Sequence, residues 1–243
     1  MWNQFRHVLA VVSLAAFVGA CGKGSVEEAG SVDYVVDRMQ ARLEAATWGE
    51  PWYRTLDELL PNMKYRERGK SEIRGSDLMI VGEIVDVEAG YGFKVTERDF
   101  DGKRVDFDDP GALWKTVHLK VAVAKHWGRS SPELVTVGFG IDGDDQLPQV
   151  RDGLRGLGMV ALFLQEKTPH YSYDPSIYGI AKGGHMVATV AADGALALPF
   201  LDDQEEAMLL KGVGTMEALE RHANGPERVG TIVREQGRAR RAA

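Results

Sequence analysis

The chain has 243 residues, with 29 Lys plus Arg against 36 Asp plus Glu, a formal charge of −7 and one cysteine. A domain that grips phosphate backbone presents a basic face, so this acidic balance argues against nucleic acid as a partner. A lone cysteine excludes an internal disulfide, and a chain of this length buries enough surface to fold without one.

From the N-terminus, Met1 to His7 contains Arg6, and VLAVVSLAAFVGA, Val8 to Ala20, carries no charge over 13 residues. A helix that spans a bilayer needs about 20 apolar residues. A short apolar run behind a basic start and before small residues predicts a removable export segment over residues 1–20. The run closes on FVGAC, where Val18, Gly19 and Ala20 precede Cys21. At this point the chain resembles a bacterial lipoprotein signal peptide, whose lipobox is an aliphatic residue, two small residues and an obligatory cysteine; Val18 stands where that family prefers leucine. The resemblance implies that the Cys21 thiol is alkylated with diacylglycerol and that the leader is cut just before it. Cys21 would then anchor the protein, through membrane lipid, on the extracytoplasmic side of the cell membrane or outer membrane. Each buried acyl methylene contributes about 0.8 kcal/mol to such an anchor.

Residues 21–31, through GKGSVEEAGS, show no apolar period and predict a flexible tether. Within residues 32–76, Val32, Val35, Val36, Met39 and Leu43 recur at helical spacing, with Asp33 in the first turn and Arg42 toward the last. TLDELL predicts a further helical turn, and the polar PNMKYRERGKSEIRGS a linker. The texture changes at Asp77. DLMIVGEIVDVEAG alternates and is β-branched, as a half-buried strand requires. WKTVHLKVAVAKHWG, Trp114 to Gly128, places Val117, Leu119, Val121 and Val123 on one face, with Lys115, His118 and Lys120 assigned off it. PELVTVGFG and GMVALFLQ are further strands, and YGIAKGGHMVATVAADGALALPF supplies two or three more around a hairpin turn at Ala192-Asp193-Gly194. Between these, the acidic stretch from Tyr91 to Ala112 reads as an inserted hairpin or a long loop, and DQLPQVRDGLRGL as a loop with one helical turn. Residues 201–243 predict a helical segment with TMEALERHA, a stop at Asn224-Gly225-Pro226, and a basic tail ending in GRARRAA.

Five to seven strands with few helices between them predict a mainly β fold, an antiparallel barrel or sandwich over residues 77–200 with flanking N- and C-terminal α-helices. The succession DLMIVGEIVDVE, WKTVHLKVAVAKHWG, ELVTVGFG and LGMVALFLQ resembles the small OB-like or netrin-like β-barrel domains of exported bacterial proteins. That resemblance implies a fold and no settled activity.

No local motif announces catalysis, a cofactor or a metal: G-x-S-x-G, H-E-x-x-H and a P-loop are all missing. His118 and His126 lie about 26 Å apart along one strand at 3.3 Å per residue, too far to share a metal. Asp99 to Asp109 and Ile141 to Asp145 place carboxylates on glycine-bearing loops in the manner of calcium ligands, without the spacing of an EF-hand. Aromatic residues at the strand ends either cap the barrel core or serve recognition, for which a tyrosine, combining an apolar body with a wet hydroxyl, is suited. Trp127, Tyr171, Tyr173 and Tyr178 are the candidate ligand-binding residues. The composite expectation is a lipid-anchored, non-catalytic binding module for an envelope protein, a peptide or a glycan. The alternative is an extracytoplasmic hydrolase using His185 or His118 with nearby carboxylates.

Overall fold

The computed structural model describes residues 31–45, 54–66, 73–96, 99–166, 176–181 and 186–231, and these form a mainly β protein with a large sheet and four α-helices. In chain order they are helix α1 (Val32–Ala45), a 3-10 turn (Leu56–Leu59), strands β1 (Met63–Arg66), β2 (Ile73–Arg74), β3 (Leu78–Thr96), β4 (Asp99–Val105), β5 (Trp114–Gly128) and β6 (Leu134–Asp142). Helix α2 (Leu147–Gly156), strands β7 (Met159–Gln165), β8 (Ile177–Ile180), β9 (Val187–Val190) and β10 (Leu196–Ala197), helices α3 (Asp203–Leu209) and α4 (Met216–Ala223), and β11 (Arg228–Thr231) follow.

The large sheet runs β10-β9-β7-β8-β6-β5-β3-β4 and carries one further pairing, β7 with β3. β3 therefore pairs with β5, β5 with β6, β6 with β8, β8 with β7, and β7 again with β3. All of these are antiparallel except β6 with β8, which is parallel. A second sheet of three strands, β11-β1-β2, stands apart from it.

Two apolar cores lie on either side of β3 and β7. Leu78, Ile80, Ile84, Val160, Leu162 and Leu164 face the first, together with Val117, Leu119, Val121, Val135, Val137 and Phe139 from β5 and β6. Met79, Val81, Ala161 and Phe163 face the second, which Leu56, Leu59, Leu60, Leu209, Met216 and Leu219 cover from the 3-10 turn, α3 and α4. Double burial is why LMIV and VALFL read as unbroken apolar runs rather than as alternating strands. Each of the larger side chains contributes about 2 kcal/mol by leaving water, so the doubly buried stretches Leu78–Val81 and Val160–Leu164 tolerate no charge on either face.

Several expectations are corrected. The polar stretch expected to be a linker forms β1 and β2, because Met63 and Tyr65 alternate inward and β1 pairs in parallel with β11. The loop expected at DQLPQVRDGLRGL is the ten-residue helix α2, started by Pro148 in its first turn and burying Val150 and Leu154. The described residues between 77 and 200 hold eight strands, one more than the upper expectation, since the acidic stretch after Tyr91 contributes β4, which pairs with β3. Lys115 does not lie off the apolar face of β5. It shares the inward parity of Val117 and is buried, with its amine donating to the Asp145 carbonyl at 3.3 Å and lying 5.0 Å from the Phe107 ring centroid. The turn at Ala192-Asp193-Gly194 does join β9 to β10: Gly194 has φ +84° and its N–H donates to Ala191 O at 2.9 Å.

Two polar clasps tie the terminal segments to the sheet. In the first, α1 crosses α2 where Gly153 and Gly156 leave room for Val35 and Val32; a Cβ at Gly153 would sit 2.3 Å from a Val35 methyl. Beside that contact, Tyr34 Oη donates to Asp145 Oδ1 at 2.9 Å and Arg38 Nε donates to the same oxygen at 2.8 Å, while Arg38 also meets Asp144 and Asp142. Burial, and then the hydrogen bond and charge of Asp145, push the Tyr34 hydroxyl up to about 12.

In the second clasp, buried Asp57 accepts from Arg228 Nη1 at 2.5 Å and meets His222 Nδ1 at 3.0 Å, and Arg228 Nη2 donates to the Asp57 carbonyl at 2.8 Å. Burial acts to raise the Asp57 pKa; it is outweighed by hydrogen bonds from Arg228 and Thr55 and by the charges of Arg228 and His222, so the pKa ends below its usual 3.8. A depressed carboxylate contributes stability that is complete above the unfolded pKa and is lost as pH falls through the folded one. Asp57→Ala is therefore expected to lower unfolding free energy at neutral pH by about 2 kcal/mol, discounted for the partly exposed Arg228. In urea titrations from about pH 6 to about pH 2, the difference between wild type and Asp57→Asn should shrink toward the acid end. A difference constant with pH would contradict the clasp.

Candidate functional site

β3, β5 and β6 present polar side chains on the side away from the first core, beside Ile177 and Gly179 of β8. In β5 the buried positions Val117, Leu119 and Val121 alternate with half-buried Thr116, His118 and Lys120, and in β6 buried Val135, Val137 and Phe139 alternate with Thr136, Gly138 and Gly140. Strand register aligns these into two cross-strand rows. One runs Asp86, Lys120, Thr136, Ile177; the next runs Glu88, His118, Gly138, Gly179. Side chains directly opposite on one face lie about 4.5–5.5 Å apart at Cβ, so each row is a contiguous polar surface.

A cleft of about 340 Å³ opens on these rows, lined by Glu88, Ala89, Gly90, Tyr91, His118, Lys120, Thr136, Ser176 and Ile177. That volume sits at the small end of ligand clefts, about 300–1,000 Å³. Lys120 Nζ lies 3.2 Å from Glu88 Oε2 and donates to Thr136 Oγ1 at 3.2 Å. Tyr91 forms a fixed wall. Its ring meets the His118 ring edge-on at a centroid distance of 5.7 Å, the Arg104 guanidinium lies 3.0 Å over its centroid, and its N–H donates to Thr116 Oγ1 at 3.1 Å. This close approach depends on Gly90, where a Cβ would sit 2.5 Å from the Thr116 carbonyl oxygen and 3.0 Å from His118 Nε2. The β3–β5 register shifts between Ala89 and Gly92, which turns Tyr91 toward the cleft from an otherwise regular strand.

The residues singled out from sequence are dispersed. Trp127 is half-buried against the second core, whereas Tyr178 is half-buried against the first, so these two do not share a surface. Cys21, Tyr171, Tyr173, His170 and His185 lie outside the described residues. Ser176, shortly after Tyr173 in the chain, belongs to the cleft wall. Glu88, Lys120, Thr136 and Ser176 were not singled out as binding residues; the available signal was the polar half of the alternation in β5 and β6. His118, named with the hydrolase alternative, stands in the cleft beside Tyr91 and Lys120.

The acidic turn at Ile141–Asp145 is engaged from within. Asp145 Oδ2 accepts from Asp142 N at 2.8 Å, its other oxygen is taken by Tyr34 and Arg38, and Arg42 lies 3.8 Å from Asp142. Asp109 is held by Lys94 at 2.5 Å and by Gly111 N at 2.8 Å, which keeps its carboxyl below the usual range. Among the described residues, no group of three or more His, Cys, Asp or Glu is placed to hold a metal ion. His222 and Asp57 meet at hydrogen-bond distance, but Asp57 is buried under Arg228 at the second clasp and is not among the residues of the cleft.

Comparison with family models, with curated proteins and with solved structures finds no match to this chain.

The Glu88–Lys120 pair is partly solvated, with the Glu88 side chain about half exposed, and such pairs contribute about 0–1 kcal/mol. Glu88→Gln and Lys120→Met are accordingly expected to shift the urea midpoint by less than about 1 kcal/mol of unfolding free energy. A loss several times larger in either variant would show that the pair serves the fold rather than a ligand.

Proposed function

We propose that this protein is a lipid-anchored, extracytoplasmic binding module that holds an envelope protein, peptide or glycan without transforming it, and that the cleft between β3, β5, β6 and β8 is where it binds. The observation that carries this reading is the cleft itself, an outward polar surface on strands whose opposite side is packed. The circuit of pairings through β3, β5, β6, β8 and β7, with its one parallel contact and α2 between β6 and β7, supports reading these five strands as a small OB-like barrel. Barrels of that kind bind through one strand face and the adjoining loops. Tyr171 and Tyr173 shortly precede the cleft-wall residue Ser176 in the sequence, which brings these aromatic candidates into the same proposal.

The anchor in this reading is Cys21. Its supporting evidence is the leader and lipobox pattern in residues 1–21. No described helix is long and apolar enough to cross a membrane.

Two measurements test the reading. Cys21→Ser should abolish incorporation of labelled palmitate and release the protein from the membrane fraction; an unacylated native protein with Met1 intact removes the anchor. The full chain should retain envelope material on an affinity matrix, and the double change Glu88→Gln with Lys120→Met should reduce retention about tenfold, the equivalent of one hydrogen bond to a charged group. Retention unchanged by that pair would place binding elsewhere.

A further inference from the structure

The chemistry of the cleft narrows the ligand, taking the proposed binding module as its premise. The cleft lining offers both donors and acceptors and almost no apolar surface. Glu88 accepts, Lys120 donates, and the Thr136, Ser176 and Tyr91 hydroxyls and the His118 ring can do either. The remaining lining is Ala89, Gly90 and Ile177, of which Ile177 is buried. An apolar side chain has no hole to enter, so a peptide would find no anchor of the kind that dominates protein interfaces.

Two further features count against a peptide strand and against a charged ligand. β5 and β6, which carry His118, Lys120 and Thr136, are paired on both sides along the two rows, and the Val87 carbonyl on β3 accepts from Arg151 Nε at 2.9 Å. β5 and β6 therefore offer no open edge for strand addition, and β3, unpaired on its far side only between its contacts with β7 and β4, has its Val87 carbonyl already taken. Lys120 and Glu88 neutralise each other at 3.2 Å, and the Arg104 charge is spread over Tyr91. On a chain of formal charge −7, that leaves no concentrated positive field for an anion.

Beside the cleft lining, the row of Glu88 and His118 continues to Gly138 and Gly179, and a Cβ at Gly179 would meet nothing within 4 Å. Glycines at such positions let a ligand lie directly on the backbone, while Tyr91, pinned by Arg104 and His118, stands as a wall. We infer that the cleft holds a short stretch of an uncharged, hydroxyl-rich saccharide, lying against the Tyr91 wall with its hydroxyls shared among Glu88, Lys120, Thr136 and His118. Hydroxyls both donate and accept, which matches a wall of mixed donors and acceptors better than a carboxylate, a phosphate or an aliphatic side chain does.

The test uses the full acylated chain in a detergent without a sugar headgroup and two probes: the N-acetylglucosamine tetramer, and a protease-digested, dialysed envelope polysaccharide fraction. Titration calorimetry should detect binding of at least one probe. Thr136→Val, and separately Lys120→Met, each of which removes a polar group from the lining, should each weaken it about tenfold with the thermal melt unchanged. Periodate oxidation of the polysaccharide should remove its binding. No binding of either probe, or binding insensitive to both variants, overturns the saccharide assignment. If envelope retention then depends on Glu88 and Lys120 but is destroyed by protease treatment of the extract, the ligand is a protein or peptide and the binding module survives without the saccharide. If retention never depends on the cleft, both readings fall together.

Discussion

The pairing of β3 with β7 is the constraint on which the rest of the molecule depends. Leu78 to Glu83 lie against Leu164 to Met159 in continuous register, and both strands bury side chains on both faces. A one-residue slip would exchange the two faces of either strand, placing Met79 and Phe163 where Leu78 and Leu162 now pack. Because two separate cores read the same pairing from opposite sides, neither can be repacked without disturbing the other.

That double use divides the surfaces. The 3-10 turn, α3 and α4 are drawn to the side of β3 and β7 where Met79, Ala161 and Phe163 need cover. α1 and α2 pack against the first core through Val35, Met39, Val150 and Leu154. The outward side of β5 and β6 then has polar side chains and glycines, not helices, and the cleft forms there. The proposed binding surface is thus the part of the sheet that no apolar residue obliges the chain to cover. The two clasps complete this division, since Arg38 and Tyr34 hold α1 to the turn after β6 and Arg228 and His222 hold the C-terminal strand to Asp57.

Both clasps join residues more than a hundred positions apart, which is why neither was legible in sequence. Asp145 reads as one carboxylate in an acidic turn until Arg38 and Tyr34 arrive from α1. Lys115 shows a related limit. Alternation assigns a lysine to the wet face by chemistry, but strand parity sends it inward, where the Asp145 carbonyl and the Phe107 ring receive its amine. In β1 the alternation of Met63 and Tyr65 was present in the sequence, yet a four-residue strand becomes recognisable only through its partner β11, from the far end of the chain.

By itself the sequence determined what depends on neighbouring residues: the helical spacing of α1, the period-two alternation of β5 and β6, the apolar runs of β3 and β7, the glycine turn before β10, and the leader pattern ending at Cys21. These follow from local backbone geometry and from the need of one face to leave water. The tertiary structure alone decided which strands pair, that β6 and β8 run parallel, that Trp127 and Tyr178 pack against different cores, and that Glu88, His118, Lys120 and Thr136 stand on one surface. Such facts depend on contacts between residues distant in the chain, and no spacing within a single strand encodes the identity of the strand beside it.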